Sequence, residues 1–107
     1  MPTTCPTVYT VILNWNQPEY TLDCLASLLD SEYPALKVLV VDNGSTDGSP
    51  QLIRSRFPQV EVIENRENLG YSEGNNVGIR CALQQEADYI FLLNNDTVVD
   101  KKMLARL

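Results

Sequence analysis

Two hydrophobic periods alternate along this chain, and that alternation constrains its fold more than any other feature. Four short apolar runs rich in β-branched residues span Val8 to Leu13, Lys37 to Val41, Val60 to Ile63 and Tyr89 to Leu93. Between them, apolar residues recur at helical spacing: Leu22, Leu25, Leu28 and Leu29, then Leu52, Ile53 and Phe57, then Val77, Cys81 and Ala82. Continuous apolar runs, unlike alternating ones, read as strands covered on both faces, which is the habit of parallel sheets. The order is therefore βαβαβαβ, an α/β fold with an open, twisted, mostly parallel, Rossmann-like sheet and right-handed crossovers. Ligands of such sheets bind beyond the carboxyl ends of the strands.

Composition narrows the chemistry. The 107 residues suit one domain, with no long linker, repeat or low-complexity tract. A net charge of -6 without a basic run argues against nucleic acid and anionic lipid as partners. The absence of histidine excludes imidazole-activated nucleophiles and His-containing zinc sites. Cys5, Cys24 and Cys81 are odd in number and lack CxxC spacing, so a reducing compartment is expected rather than a disulfide framework. No signal peptide opens the chain and no segment reaches the roughly 20 apolar residues of a membrane span, so the expected location is cytoplasmic.

Local signals mark the helix ends. Ser49 before Pro50 predicts an N-cap with proline at the first helical position, and Pro58 closes that helix after Phe57. Asp100 is expected to cap a further helix through Lys101, Met103 and Leu104; its stop at Leu107 after barely two turns suggests a truncated domain. Glu19, Asp23, Glu32 and Glu86 read as solvated helix positions. Trp15, the sole tryptophan, has a ring that could pack on a base or on the core, and core packing is expected.

The polar loops that follow the strands hold the candidate site. In VVDNGSTDGS the second strand delivers Asp42 to the sheet edge, where Gly44 and Gly48 allow a tight turn. There Asp42 either accepts hydrogen bonds from a nucleobase imide or ribose hydroxyl, or makes an Asx-turn while Asp47 begins the helix. In LLNNDTVVD, Asn94, Asn95 and Asp96 stand where the fourth strand stops. These are hard oxygen donors suited to Mg²⁺ or Mn²⁺ with a diphosphate completing the shell, or else a solvated turn. In ENRENLGYSEGNNVGI, Gly70, Gly74 and Gly78 recur every four residues among Asn68, Asn75 and Asn76, which permits close approach of a ligand or of the sheet. Neither a dinucleotide fingerprint nor a P-loop is present, and polar surroundings exclude a GxxxG membrane interface. Asn14 and Asn16, in LNWNQPEY, stand at the same edge.

Taken in order, VILNWN, VVDNGSTDGS, NLGYSEGNNVGI and LLNNDTVV resemble the family-2 glycosyltransferases over nearly the whole chain. The resemblance implies a GT-A fold, with residues 1–107 forming the N-terminal, nucleotide-sugar-binding half of a catalytic domain. It implies that Asp42 recognises the donor base, that Asn14 stands where many members carry a threonine near the nucleotide, and that Asp96 is the last acid of a DxD motif. Asn94 departs from that motif where an acid is common, which leaves Asp96 to carry the charge nearly alone. The nucleotide-binding set so implied is Asn14, Asn16, Asp42, Asn43, Asn68, Gly70, Asn75 and Asn95, with Asp96 and, more weakly, Asn94 for the metal.

The reaction implied is inverting, metal-assisted transfer of a sugar from a nucleotide diphosphate sugar to an acceptor hydroxyl, in glycan or polysaccharide synthesis. The NWN and NNDT wording is similar to a rhamnosyltransferase-like branch and favours a UDP- or dTDP-sugar with a glycan or lipid-linked acceptor. The general base is expected beyond Leu107, which makes the isolated 107 residues inactive in transfer. A sugar nucleotidyltransferase is the alternative enzyme, but it would carry a Gly-rich basic loop where this chain has NWNQPEY. A non-catalytic nucleotide-binding module is the alternative outside catalysis.

Overall fold

A computed structural model describes residues 6–30 and 33–97. Its elements run β1 (Val8–Asn14), α1 (Pro18–Leu29), β2 (Leu36–Asp42), α2 (Ser49–Arg56), β3 (Glu61–Glu64), α3 (Tyr71–Gln84) and β4 (Tyr89–Leu93). The four strands form one sheet in the order β3-β2-β1-β4, and every pairing is parallel. The chain thus steps outward from β1 to β3 and returns through α3 to the other side of β1. This is the α/β architecture expected from the alternating periods. The helix expected after Asp100, and Glu32, lie outside the described residues.

Strand alternation divides the core in two. Val8, Ile12, Val38 and Val40 face α1 and α2, where Cys24, Leu25, Leu28 and Ile53 meet them. Tyr9, Val11, Leu39 and Val41 face α3 and pack around Ala82. β1 and β2 are buried almost throughout, as their continuous apolar runs predict. β3 and β4 are not, because each is an outer strand with one neighbour; they are only half-buried.

The helix α3 lies close on the sheet because its inner face is small. Gly74, Asn75, Gly78 and Ala82 are its buried residues. A Cβ on Gly78 would stand 2.5 Å from Val11 Cγ1 and 3.0 Å from Val41 Cγ2. Close helix-on-sheet packing, one of the two readings of this glycine series, accounts for Gly78.

Three local expectations need correction. Ser49 is the first residue of α2 and not its cap; Gly48, at φ +81°, holds that position, and Asp47 Oδ1 accepts from the Ser49 amide at 3.0 Å. An acceptor one residue further out serves the same orphan donors. Trp15 is half exposed and not in the core, because Asn14 turns inward at the strand end and the next side chain points out. Glu86 is solvated as expected but is not helical: at φ +62° it ends α3, with Glu86 N donating to Leu83 O and Ala87 N to Ala82 O, both at 3.1 Å, in a Schellman pattern.

Candidate functional site

Asn14 and Asp42 form the last register pair of β1 and β2, so the two central strands deliver both side chains to one edge. Asn14 is fully buried and Asp42 nearly so. A carboxylate only accepts hydrogen bonds, and buried it must be given donors. Asn14 Nδ2 donates to Asp42 Oδ1 at 2.9 Å, Ser45 Oγ donates to the same oxygen at 2.7 Å, and Ser45 N donates to Oδ2 at 2.9 Å. Oδ2 therefore keeps an acceptor position. Asp42 does not close an Asx-turn, since the amide it accepts from is three residues on rather than two, and one lone pair of Oδ2 is left over.

The loop after β1 joins the same knot. Asn16 N donates to Ser45 Oγ, and Thr46 N donates to Asn16 Oδ1, both at 2.9 Å. Asn16 sits at φ +49°, a left-handed conformation that asparagine tolerates better than most residues.

Asn43 binds the loop after β3. Its Oδ1 accepts from Asn65 Nδ2 at 3.1 Å and Leu69 N at 3.0 Å, and its Nδ2 donates to Asn68 Oδ1 at 3.0 Å and Gly70 O at 3.1 Å. An amide has two donors and two acceptor lone pairs, and these four bonds use them all. The Asn43 side chain thus holds the Asn65–Gly70 segment in place with all four of its hydrogen-bonding positions taken. Asn68 and Gly70 are exposed on that segment, and Asn68 Oδ1 also accepts from Gly70 N at 2.8 Å. Gly44, at φ +82°, lets the segment come close: a Cβ there would be 2.6 Å from the Glu67 carbonyl carbon.

The loop after β4 carries Asn94, Asn95 and Asp96. They share a cleft of ≈ 180 Å³ with Leu13, Leu93, Tyr71 and the buried Asn75. Asn94 and Asp96 are exposed. Asn94 Oδ1 accepts from the Tyr71 hydroxyl at 3.4 Å, and Asn75 Nδ2 donates to Tyr71 O at 3.1 Å. Two buried residues of α1 brace this loop from beneath. Thr21 Oγ1 accepts from Asn95 Nδ2 at 3.2 Å, and the Cys24 thiol lies 3.8 Å from Asn94 O. Burial, and then the negative charge of Asp96, push the Cys24 thiol up from 9.0 to about 11.

Asp42 does not line the cleft that Asp96 lines, yet the two loops are linked. Thr21 Oγ1 also donates to Asn14 Oδ1, so hydrogen bonds run unbroken from Asp42 through Asn14 and Thr21 to Asn95. Thr21 and Ser45 were not among the residues expected to matter. The signal for Thr21 is its place in the Pro18, Thr21, Cys24, Leu25, Leu28 face of α1, a polar residue at an inward position.

As donors for a cation, Asp96 and the two asparagine carbonyl groups are hard oxygens in an accessible loop. Among the described residues no three His, Cys, Asp or Glu side chains converge on one point. One carboxylate with a few neutral oxygens fits Mg²⁺ or Mn²⁺ when a diphosphate and water supply the other ligands, as these ions commonly require. Among the described residues no helix is long and apolar enough to cross a membrane.

Known proteins resemble this chain in sequence and in fold. The family model described as Glycosyl transferase family 2 matches residues 9–107. The chain is 27% identical over 100 residues to Glycosyltransferase GlyG of Streptococcus pneumoniae, covering 91% of this chain and 32% of that protein. Over 48 residues it is 52% identical to the N-acetylglucosaminyl-diphospho-decaprenol L-rhamnosyltransferase of Mycobacterium tuberculosis, 44% of this chain and 15% of that one. Mannosyltransferase PcManGT of Pyrobaculum calidifontis, solved with GDP-Man and Mn²⁺, superimposes with a TM-score of 0.84 at 25% identity, over 96% of this chain and 31% of that chain. The chain therefore spans about a third or less of the length of these relatives.

Proposed function

Since the chain belongs to glycosyl transferase family 2, we propose that residues 1–107 are the donor-binding part of an enzyme that moves a sugar from a nucleotide diphosphate sugar to an acceptor hydroxyl. The observation that carries this reading is the continuous hydrogen-bonded link between Asp42 and Asn95, which ties the loop suited to a nucleoside to the loop suited to a diphosphate-bound cation.

In this reading the free lone pair of Asp42 Oδ2 accepts from a base imide or ribose hydroxyl. Asn16, Asn68 and Gly70 line the nucleotide's path from exposed or half-buried positions, and Asn75 and Asn95 meet it in the cleft. Asn14 and Asn43 shape the site from within. Asp96, with Asn94 and Asn95, holds Mg²⁺ or Mn²⁺, which when bound neutralises charge on the departing diphosphate. The acceptor's proton needs a general base, and the reading leaves that base, with the glycan or lipid-linked acceptor, to the remaining length of a protein whose relatives are about three times longer. For the donor the reading takes a UDP- or dTDP-sugar, which the NWN and NNDT wording of the sequence favours. The free thiols of Cys24 and Cys81 suit a cytoplasmic setting.

Calorimetry with UDP, dTDP and GDP, each with and without Mn²⁺, tests the reading. Binding that prefers UDP or dTDP and tightens with the ion is expected. Preference for GDP would overturn the assignment of the base, and binding indifferent to Mn²⁺ would favour a metal-independent nucleotide-binding module.

A further inference from the structure

We propose that Thr21 is a positioning residue that couples the nucleoside end of the site to its metal end; the proposal rests on the donor-binding reading above. Thr21 is fully buried, in the first turn of α1, and lies between the loops after β1 and β4. A hydroxyl has one proton to give and lone pairs to receive. Here the proton goes to Asn14 Oδ1 and the Asn95 amide fills the acceptor side at 3.2 Å.

The direction of the whole chain is dictated by Asp42. Because its carboxylate only accepts, Asn14 must turn its NH₂ toward Asp42 and its carbonyl toward Thr21. Thr21 must then donate to that carbonyl, and Asn95 must donate to Thr21. Asn95 is thereby held with its carbonyl oxygen unclaimed among the described residues, beside Asp96. Aligned hydrogen bonds strengthen one another, so a change at either end is felt at the other. Cys24, one turn further along the same buried face, braces Asn94 and reaches no further. Among the described residues Thr21 alone spans both loops, since the side chains of Asn14 and Asp42 bond to each other and to Ser45 and not to the β4 loop.

The experiment compares the wild type with Thr21→Val, which keeps the shape and loses the hydroxyl, and Thr21→Ser, which keeps the hydroxyl. Two quantities are read: the factor by which Mn²⁺ tightens UDP binding, and the side-chain amide resonances of Asn14 and Asn95 without ligand. In Thr21→Val the Mn²⁺ factor falls by roughly tenfold, the size of coupling within one hydrogen-bond network, and both amide resonances move. Thr21→Ser restores both. An unchanged Mn²⁺ factor in folded Thr21→Val, or movement of one amide without the other, overturns the proposal. If the wild type binds no nucleoside diphosphate, the donor-binding reading fails and the coupling role with it, while joint movement of the amides would still establish the bridge. Should Thr21→Val not fold, Asn95→Ala removes the outer end of the chain; an Asn14 resonance that stays in place there overturns the bridge.

Discussion

Asn14 and Asp42 face each other at the last register position of β1 and β2, and Asn14 Nδ2 donates to Asp42 Oδ1 over 2.9 Å. The pair closes the sheet edge from inside. Everything placed at that edge depends on its remaining satisfied.

Asp42→Ala removes the acceptor for Asn14 and for both Ser45 donors. Leaving buried donors unpaired costs about 1–3 kcal/mol. Urea denaturation is expected to show a loss of that size, and metal-free UDP affinity is expected to fall because the base or ribose loses its acceptor. Unchanged stability would mean that the knot does not form; unchanged affinity in a folded variant would remove Asp42 from base recognition.

Asp96→Asn is expected to behave differently. Asp96 is exposed and has no hydrogen bond to lose among the described residues, so stability should stay within about 0.5 kcal/mol of wild type. The tightening of UDP binding by Mn²⁺ should disappear. Calorimetry showing the same tightening in the variant would move the cation elsewhere.

Gly78→Ala tests why α3 lies so close to the sheet. The added methyl would meet Val11 Cγ1 at 2.5 Å and Val41 Cγ2 at 3.0 Å, both fully buried on the two central strands. Overpacking of this kind costs about 1–3 kcal/mol, which over most of that range exceeds the roughly 1 kcal/mol that alanine gains over glycine in a helix. Thermal unfolding should therefore shift down, and a rise would show that α3 sits further out.

Alkaline pH reports on Cys24. Its thiol is raised by burial and then by Asp96 to about 11, against 9.0 ordinarily. Between those values the unfolded chain loses a proton that the folded chain keeps, so the contribution is whole below pH 9 and declines as pH rises toward 11. Cys24→Ala should flatten that part of the stability profile, measured by urea midpoints from pH 8 to 10.5. An equal decline in both proteins would assign it to other groups.

Much of this architecture is legible in the sequence because β1 and β2 are covered on both faces, which requires continuous apolar runs and a polar residue where each run stops. That is why the sequence alone places Asn14 and Asp42 at one edge. The same rule locates Asn94, Asn95 and Asp96. It overstates β3 and β4, whose outer positions leave them half-exposed. Trp15 was misplaced because its hydrophobicity says nothing of direction: the strand's alternation turns Asn14 in and Trp15 out. The bridging role of Thr21 is set by three side chains from β1, α1 and the β4 loop, and such convergence has no periodic signature.

A single NMR titration tests the central claim most directly. UDP in the presence of Mg²⁺ is added to isotopically labelled protein, and backbone amide shifts are followed to saturation. The account predicts that the amides of Asn16, Ser45 and Thr46 move together with those of Asn95 and Asp96 along one binding curve. Shifts confined to one of these loops, or two separate curves, would contradict it.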